Sequence, residues 1–551
     1  MCGIYLHVNH DDDAMIEPPT SWLTRRGPDH HGKVQWTVPG SGSSSSSSSS
    51  SSSITTKSCV VTLQASVLSM REKLSPQPVA LLPPDNHRRQ VYLCWNGEAY
   101  QAAAKDRDEE SPQLGSDGDD ELSPPGVAVG EPSVSDTDFV ADLLRAIVTD
   151  KTENHRPEIL LPRLAASIQK LINAEFSICV ATSEWIYYAK DVWGRRSLLV
   201  GTTLNGNDDD ANGGNSNTNH NKYWILSSVA IDDSSAANTQ WIEVEPGIVF
   251  AHHVLSGSTQ QLAYHVTSTT PLARPIMTIT DPVDSLYRLL RTAVRRRIAG
   301  THSVAVLFSG GLDSVVLAAL VLQECHRVTL TNVSFVPDTE SSAQSMESSA
   351  AADTRAAVAS YAELQHLFPD AIITFCQRQV PWNEVQKQQN RLKRLIYPKI
   401  TVMDLNIATA FWFAAETATS CRILLTGLGA DEQLGGYGRH RKAWTKHADS
   451  KDEQKAALRN ELQLDQQRLW ERNLGRDDRV LSDTSKETRY PFLDSDVVQY
   501  LTELDVDQIC DFNLPPGEGD KRILRQVALR LGLVTASAAV KRAVSDGDFF
   551  C

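Results

Sequence analysis

Residues 307–314, LFSGGLDS, place two glycines between a short apolar segment and a second, longer one. Ser303–Phe308 is typical of a buried strand, and Ser314–Cys325 is typical of an apolar helix. At a strand-to-helix turn of this kind, backbone N–H groups and the positive end of the helix dipole can bind an anion, because glycine allows close approach to the main chain. We therefore predict an anion-binding loop made by Ser309, Gly310, Gly311 and Ser314.

Asp313 lies inside this loop, where a carboxylate alone would repel a phosphate group. Its presence is explained if it binds Mg²⁺, which can bridge to phosphate oxygens. The pattern GxxxxGK[ST] is absent here, so the loop is not predicted to be a P-loop of that type. The alternative interpretation is a glycine-rich turn whose serine caps a helix.

From about residue 283 onward, predicted strands alternate with predicted helices. Further strands are expected at Val328–Phe335, Ala371–Phe375 and Arg422–Thr426, and this alternation predicts a doubly wound parallel sheet. Ligands in such sheets bind at the carboxyl ends of the strands. The sequence thus predicts an α/β domain at residues 283–551.

Residues 1–270 lack this alternation of strands and helices. Short apolar or alternating segments recur there with few helical patterns between them. This pattern predicts stacked antiparallel sheets in a first domain. Four polar stretches have too few apolar side chains to offset the entropy of ordering and are predicted to be insertions. They lie at residues 40–58, 104–136, 205–222 and 338–353, with a predicted linker at residues 267–282.

The overall composition indicates which kinds of binding partner and which kinds of site are not expected for this protein. Among 551 residues, 53 are basic and 68 acidic, and the net charge of −15 argues against a nucleic-acid partner. No segment is apolar and long enough to predict a membrane span, and the N-terminus lacks the features of a secretory signal. Nine scattered cysteines without a CxxC pattern predict neither a zinc site nor a disulfide framework. We therefore expect a cytoplasmic protein, and the oligomeric state is left open.

Four motifs in the second half resemble those of known enzymes. SGGLDS resembles the pyrophosphate loop of ATP-pyrophosphatases, while LTGLGADE at residues 425–432 looks like the second signature of asparagine synthetases. RYPFLD at 489–494 and KRILR at 521–525 resemble late motifs of the same family. The resemblance implies ATP as substrate and Mg²⁺ as cofactor. It adds Thr426 and Gly427 to the ATP- and pyrophosphate-binding loop, assigns Mg²⁺ to Asp313 and Asp431, and gives Lys521 the stabilisation of developing charge.

The N-terminal half carries a second set of motifs around Cys2. If Met1 is removed, the α-amine of Cys2 lies within reach of its own thiol and can act as a base. RRGPD at residues 25–29, WNGE at 95–98 and SDTD at 135–138 resemble motifs of class II, N-terminal-nucleophile glutamine amidotransferases. The resemblance implies that Cys2 is the nucleophile, that Asn96 and Gly97 form an oxyanion hole, and that glutamine is bound by Arg26, Glu98 and Asp136.

Together the two halves resemble glutamine-hydrolysing asparagine synthetases, and more closely the branch of asparagine synthetase domain-containing proteins. The resemblance implies an αββα first domain and the synthesis of asparagine from glutamine, ATP and aspartate through β-aspartyl-AMP. One departure is Leu428, which stands where asparagine synthetases carry a glutamate able to handle a proton. Others are QASVL at residues 64–68 and KDVWG at 190–194 in place of the family's AHERL and RDPIG. Two alternatives therefore remain, a different carboxylate acceptor and a non-catalytic scaffold on the same fold.

Overall fold

The computed structural model describes fourteen stretches of the chain: residues 2–10, 20–40, 58–70, 74–82, 90–100, 135–148, 155–171, 173–203, 223–231, 239–264, 281–301, 303–338, 352–446 and 450–540. The predicted insertions at 40–58, 104–136, 205–222 and 338–353 lie almost entirely outside these residues. The predicted linker at 267–282 does so as well, and the division into domains 1–270 and 283–551 stays a prediction.

Two six-stranded antiparallel sheets make up the first half. The first sheet has the order β10-β8-β9-β1-β3-β2, and the second has the order β12-β11-β7-β6-β5-β4. The strands are β1 Gly3–Asn9, β2 His30–Val38, β3 Cys59–Val67, β4 Val79–Leu82, β5 Val91–Glu98, β6 Glu175–Ala181, β7 Trp185–Lys190, β8 Leu199–Thr203, β9 Tyr223–Ser227, β10 Thr239–Glu243, β11 Ile248–His253 and β12 Thr259–Ala263.

Along each strand, successive side chains point alternately to the two faces of the sheet. Ile4 and Leu6 of β1 point into an apolar layer between the sheets, whereas Tyr5 lies on the opposite face with Leu23 of the helix Thr20–Arg26. On the outer face of the second sheet, the helices Asp136–Val148 and Pro157–Gln169 bury their apolar sides. The layers are therefore helix, sheet, sheet, helix, as predicted.

The second half contains a five-stranded parallel sheet of order β15-β14-β13-β16-β17. Its strands are β13 Val304–Leu307, β14 Arg327–Val336, β15 Ile372–Pro381, β16 Ile423–Leu425 and β17 Glu487–Arg489. After β13 the chain adds β14 and β15 on one side of that strand, and it then returns to place β16 on the other side. The strand order therefore reverses between β13 and β16. A ligand site is expected in the crevice at that reversal, and the predicted phosphate loop follows β13.

Besides a short π-helix at Trp470–Leu474 and a 3-10 helix at Pro491–Leu493, thirteen α-helices are described in this half. They are Pro282–Ile298, Leu312–Cys325, Ala352–Leu367, Trp382–Ile396, Val402–Thr417, Ala430–Gln433, Gly438–Thr445, Lys451–Leu469, Gly475–Ser482, Ser495–Glu503, Val506–Ile509, Arg522–Arg530 and Val534–Ser537. Most of Leu312–Cys325 is buried along its whole circumference, which explains its apolar composition. None of the helices described here or in the first half is both long and apolar enough to cross a membrane.

Candidate active sites

A cavity lies beside Cys2, where β1 begins. Its walls come from both halves of the molecule, because Glu487 at the start of β17 lines it together with residues of the first half. The lining residues are Cys2, Val67, Leu68, Ser69, Met70, Ser75, Trp95, Gly97, Glu98, Ser135, Asp136, Thr137 and Glu487.

The predicted nucleophile Cys2 and Gly97 line this cavity, and Asn96 contacts Cys2 from the buried side. The backbone nitrogen of Cys2 donates to Asn96 Oδ1 at 3.0 Å, and the Asn96 side chain is fully buried. At Gly97, a Cβ atom would lie 2.3 Å from the carbonyl oxygen of Glu175, so only glycine fits beside β6. The sequence motifs thus identified residues that the fold brings to one point.

Burial raises the pKa of the Cys2 thiol. The positive charge of the chain's amino terminus, a backbone hydrogen bond at Leu68 and the Arg26 guanidinium oppose this effect, while the Glu487 carboxylate adds to it. The neutral thiol is therefore the resting form near neutral pH, and a base is needed to generate the thiolate.

Gln77 contacts the nucleophile, and no motif pointed to it. Its Nε2 lies 3.7 Å from Cys2 Sγ and also donates to Trp95 O at 2.9 Å, while its Oε1 accepts from Trp95 N at 2.7 Å. Because Trp95 precedes Asn96, this one amide ties the thiol to the predicted oxyanion-hole segment. A buried glutamine far along the chain carries no local signal of that role.

The predicted glutamine-binding residues do not all lie at the cavity. Glu98 and Asp136 line it, but Arg26 is absent from its described walls. Arg26 is 1% exposed, and its Nη2 makes a 2.8 Å ion pair with Asp478 of the second half. Nε and Nη1 of Arg26 have no hydrogen-bond partner among the described residues, and the assignment of Arg26 to the glutamine carboxylate stays a prediction.

The predicted phosphate loop has the expected strand–loop–helix form. It joins β13 to the helix Leu312–Cys325, with Gly310 at φ +78°, where an added Cβ would lie 2.3 Å from Ala357 N. Ser309 Oγ accepts from Gly311 N at 3.3 Å and lies 3.4 Å from Ser314 Oγ. The two hydroxyls and the glycine amides are therefore gathered in one short turn.

Lys521 lies between the two carboxylates that were predicted to bind Mg²⁺. Its Nζ is 2.6 Å from an oxygen of Asp313 and 2.6 Å from an oxygen of Asp431. Burial acts to lower the pKa of Lys521, but the two carboxylates outweigh it, so the pKa is raised and the ammonium stays charged. The three predicted residues therefore form one cluster.

This cluster fits a hard cation in its chemistry. Asp313 and Asp431 offer carboxylate oxygens around a common point, now contacted by the Lys521 ammonium. Among the described residues, no group of three or more His, Cys, Asp or Glu side chains could hold a metal ion. Asp313 and Asp431 are the residues that would hold Mg²⁺ in the predicted site, and this assignment stays a prediction.

Thr426 and Gly427 lie next to this cluster, at the end of β16. An added Cβ at Gly427 would lie 2.9 Å from Asp313 Cβ, so glycine lets the two loops approach each other. The backbone nitrogen of Thr426 donates to Arg489 O at 3.2 Å. The predicted nucleotide-binding residues thus converge at the carboxyl ends of β13 and β16.

Leu428 lies in apolar surroundings. It packs against a buried cluster that includes Tyr490 and Leu493. A carboxylate is present nearby in the chain at Glu432, which is 4% exposed and accepts a 2.5 Å hydrogen bond from the Tyr437 hydroxyl. The packing explains why a leucine is stable at position 428, although it supplies no proton acceptor.

The second half of the chain is similar to asparagine synthases. The Asparagine synthase family model matches residues 285–533. An asparagine synthetase domain-containing protein of Drosophila melanogaster is 37% identical over 250 residues, or 44% of this chain and 44% of that protein. One of Saccharomyces cerevisiae is 28% identical and covers 99% of this chain and 95% of its own length.

A putative glutamine-hydrolysing asparagine synthetase of Methanocaldococcus jannaschii is 26% identical over 224 residues, which is 40% of this chain and 36% of that protein. The chain spans about half the length of most of the curated relatives it matches, including those from fly and cattle. The yeast relative is matched along nearly its whole length.

Proposed function

We propose that this chain is an ATP-dependent, glutamine-hydrolysing amide synthetase that makes asparagine from aspartate, and the match of residues 285–533 to the Asparagine synthase family model supports this proposal. The observation that carries the proposal is the cavity around Cys2, whose wall includes Glu487 from the matched segment. A glutamine site built partly from the synthase domain is the arrangement expected when one chain produces ammonia and uses it.

In the proposed glutaminase step, which requires the removal of Met1, the free α-amine of Cys2 takes the thiol proton and the thiolate attacks the side-chain amide carbon of glutamine. The C–N bond breaks, ammonia leaves with a proton from the Cys2 amine, and water then hydrolyses the thioester to glutamate. The Asn96 amide and the Gly97 N–H would stabilise the oxyanion of each tetrahedral intermediate. Glu98 and Asp136 line the same cavity and would accept hydrogen bonds from the α-ammonium of glutamine.

In the proposed synthetase step, the β-carboxylate of aspartate attacks the α-phosphorus of ATP and pyrophosphate leaves. Ammonia then attacks the acyl carbon of β-aspartyl-AMP, and AMP leaves as asparagine forms. The loop of Ser309, Gly310, Gly311 and Ser314 would bind pyrophosphate through backbone N–H groups and hydroxyls. When bound at Asp313 and Asp431, Mg²⁺ would neutralise phosphate charge, and Lys521 would stabilise the charge that develops on the leaving group.

The direct test is to supply the purified protein with glutamine, Mg-ATP and aspartate, and to follow glutamate, pyrophosphate and asparagine. All three products are expected in equal amounts. Cys2→Ala should abolish asparagine formation from glutamine but preserve it from ammonium chloride, because only ammonia release needs the thiol. A protein that releases none of the three products under these conditions contradicts the proposal.

The packing of Leu428 favours a second candidate, in which the same chemistry acts on a different carboxylate. In that case glutamate and pyrophosphate would form only when the true acceptor is present, and asparagine would not form. Leu428→Glu separates the two candidates: a gain in asparagine formation supports a missing base, whereas no gain supports another acceptor. If Cys2→Ala and Asp313→Ala proteins performed every cellular role of the chain, the scaffold alternative would stand instead.

A further inference from the structure

Arg489 lies between the two candidate sites. It ends β17, the edge strand of the parallel sheet, and its side chain is only 2% exposed. Its Nη2 is 3.2 Å from Glu98 Oε2 and 2.7 Å from Glu487 Oε1. Both carboxylates line the cavity around Cys2. The side chain of Arg489 therefore belongs to the surroundings of the glutamine site.

The main chain of the same residue belongs to the nucleotide site. Arg489 pairs with Leu425 in the β16–β17 register, and its carbonyl oxygen accepts the 3.2 Å hydrogen bond from Thr426 N. Thr426 begins the loop that leads to Asp431. Arg489 is thus bonded through its side chain to Glu98, which is predicted to bind glutamine. Through its backbone it is bonded to Thr426, which is predicted to bind the nucleotide.

The residues that follow Arg489 extend this contact along the nucleotide loop. The carbonyl oxygen of Phe492 accepts from Gln433 Nε2 at 2.8 Å. Leu493 lies against Gly429, where an added Cβ would be 2.5 Å from Leu493 Cδ2. Because the packing leaves no space between these groups, a shift of the segment beginning at Arg489 moves the loop as well.

We propose that Arg489 is a positioning residue that couples the two sites, so that glutamine and Mg-ATP each change the affinity of the protein for the other. The inference rests on the proposed function. The α-ammonium of glutamine would compete with the Arg489 guanidinium for Glu98, leaving the guanidinium with Glu487 and the carbonyl oxygen of Arg297 as its partners. The strand position of Arg489, and with it the hydrogen bond to Thr426, then depends on whether glutamine is bound.

The simpler explanation is a buried ion pair that only stabilises the fold. Buried ion pairs are weak sources of net stability, because the desolvation of both charges offsets their attraction. The distinguishing property of the coupling is reciprocity, since the factor by which glutamine changes ATP affinity must equal the factor by which ATP changes glutamine affinity. A purely structural ion pair has no such consequence.

The test uses the full chain with Cys2→Ala, so that glutamine binds without being hydrolysed. Calorimetric titrations give the Kd of Mg-ATP with and without saturating glutamine, and the Kd of glutamine with and without saturating Mg-ATP. We expect both ratios to be equal and to differ from one by about fivefold or more. Adding Arg489→Lys, which keeps the charge but loses the forked geometry, should bring both ratios close to one.

The matched control is Arg291→Lys in the same background, because Arg291 is 38% exposed and pairs with Glu324 at 2.6 Å, and neither residue lines the cavity around Cys2 or belongs to the predicted nucleotide loops. It should leave both ratios unchanged. Ratios of one in the Cys2→Ala protein, or ratios that survive Arg489→Lys, overturn the inference while leaving the proposed function intact. A Cys2→Ala protein that binds neither ligand overturns the proposed function itself.

A second measurement covers the case in which Arg489→Lys does not fold. In the Cys2→Ala protein, hydrogen exchange at the amide of Thr426 reports directly on its bond to Arg489 O. Saturating glutamine alone should change the exchange rate of this amide, without any nucleotide present. An unchanged rate at Thr426 overturns the inference.

Discussion

Gly310 occupies a position in the phosphate loop where a methyl group has no room. It combines a φ of +78° with a close approach to Ala357, where an added Cβ would be 2.3 Å from the backbone nitrogen. A left-handed conformation alone costs a non-glycine residue about 1–2 kcal/mol. Both the positive φ and the close approach to Ala357 therefore require glycine at position 310 of the predicted phosphate loop.

Gly310→Ala should weaken Mg-ATP binding strongly and destabilise the fold, with overpacking adding about 1–3 kcal/mol to the conformational strain. Gly300→Ala is the control, because Gly300 has φ +72° but nothing within 4 Å of an added Cβ. It should show the strain alone, with normal ATP binding. Urea unfolding and ATP titration measure both effects, and equal losses in the two variants would contradict the steric account.

Gln77 is the second residue whose substitution is informative. Gln77→Met keeps the volume but removes the N–H group 3.7 Å from Cys2 Sγ, and Gln77→Glu adds a negative charge there. A lost hydrogen bond of about 1 kcal/mol to a thiolate corresponds to a roughly fivefold smaller thiolate fraction at fixed pH.

The rate at which iodoacetamide alkylates Cys2 should therefore fall from wild type to Gln77→Met and further to Gln77→Glu. The pH profile should shift upward in the same order, because each change disfavours the charged thiolate. Alkylation profiles that coincide for all three proteins would show that Gln77 does not act on the thiol.

At the scale of elements, the helix Leu312–Cys325 has two functions. Its first turn carries Asp313 and Ser314, and its remaining length is buried within the largest apolar cluster of the second half. A helix enclosed on all sides holds its N-terminus in a fixed position against the sheet, as a binding loop requires. The packing of this element thus fixes the geometry of the predicted phosphate site.

Leu317→Ala tests the packing of this helix. Leu317 is fully buried, and truncation of a buried leucine costs about 2–5 kcal/mol, depending on how well the cavity collapses. Leu529→Ala on the helix Arg522–Arg530 is the control, since Leu529 is 54% exposed and should change stability by no more than about 0.5 kcal/mol. Urea unfolding of both variants gives the comparison, and similar losses would contradict the described burial.

At the scale of the whole molecule, charged side chains join the two halves. Arg297 of the second half donates to Glu175 of the first at 2.9 Å, and both are fully buried. Arg479 makes a 2.7 Å ion pair with Glu243. Burial acts to raise the pKa of the Glu243 carboxyl, but Lys190 and Arg479 outweigh it and lower this pKa, so the contact between the halves is expected to weaken in acid.

Glu487 gives the direction of this dependence. Burial acts to raise the pKa of its carboxyl, but Arg489, the chain's amino terminus and Arg196 outweigh it and lower the pKa from 4.5 to about 2. A lowered pKa in the folded state stabilises the protein above pH 4.5, and this contribution is lost as the pH falls toward 2. Unfolding free energies measured at pH 6 and pH 3 should therefore differ less for Glu487→Gln than for wild type.

Glu503→Gln is the matched control, because Glu503 is exposed and contacts only its own helix through Gln499. It should keep the pH dependence of the wild-type protein. A Glu487→Gln protein whose stability falls with acid as steeply as wild type would show that this carboxylate is not responsible.

The sequence by itself determined the local parts of both sites. The glycine pair and flanking apolar segments specify the strand–loop–helix at residues 307–314, because backbone freedom and hydrophobic pattern are properties of neighbouring residues. The same holds for the alternation that divides β1 between two faces. The WNGE motif drew attention to Asn96 and Gly97, which the structure places beside Cys2, while their role as an oxyanion hole stays a prediction.

Only the tertiary structure decided how charges are partnered across the molecule. Arg26 and Asp478 are 452 residues apart in the chain, yet they form a buried ion pair that no local pattern predicts. Glu487 enters that cavity from a three-residue strand that no sequence pattern predicted. Such contacts depend on how two separately patterned sheets dock, and the free energy of docking is distributed over many distant residues rather than encoded in any one segment.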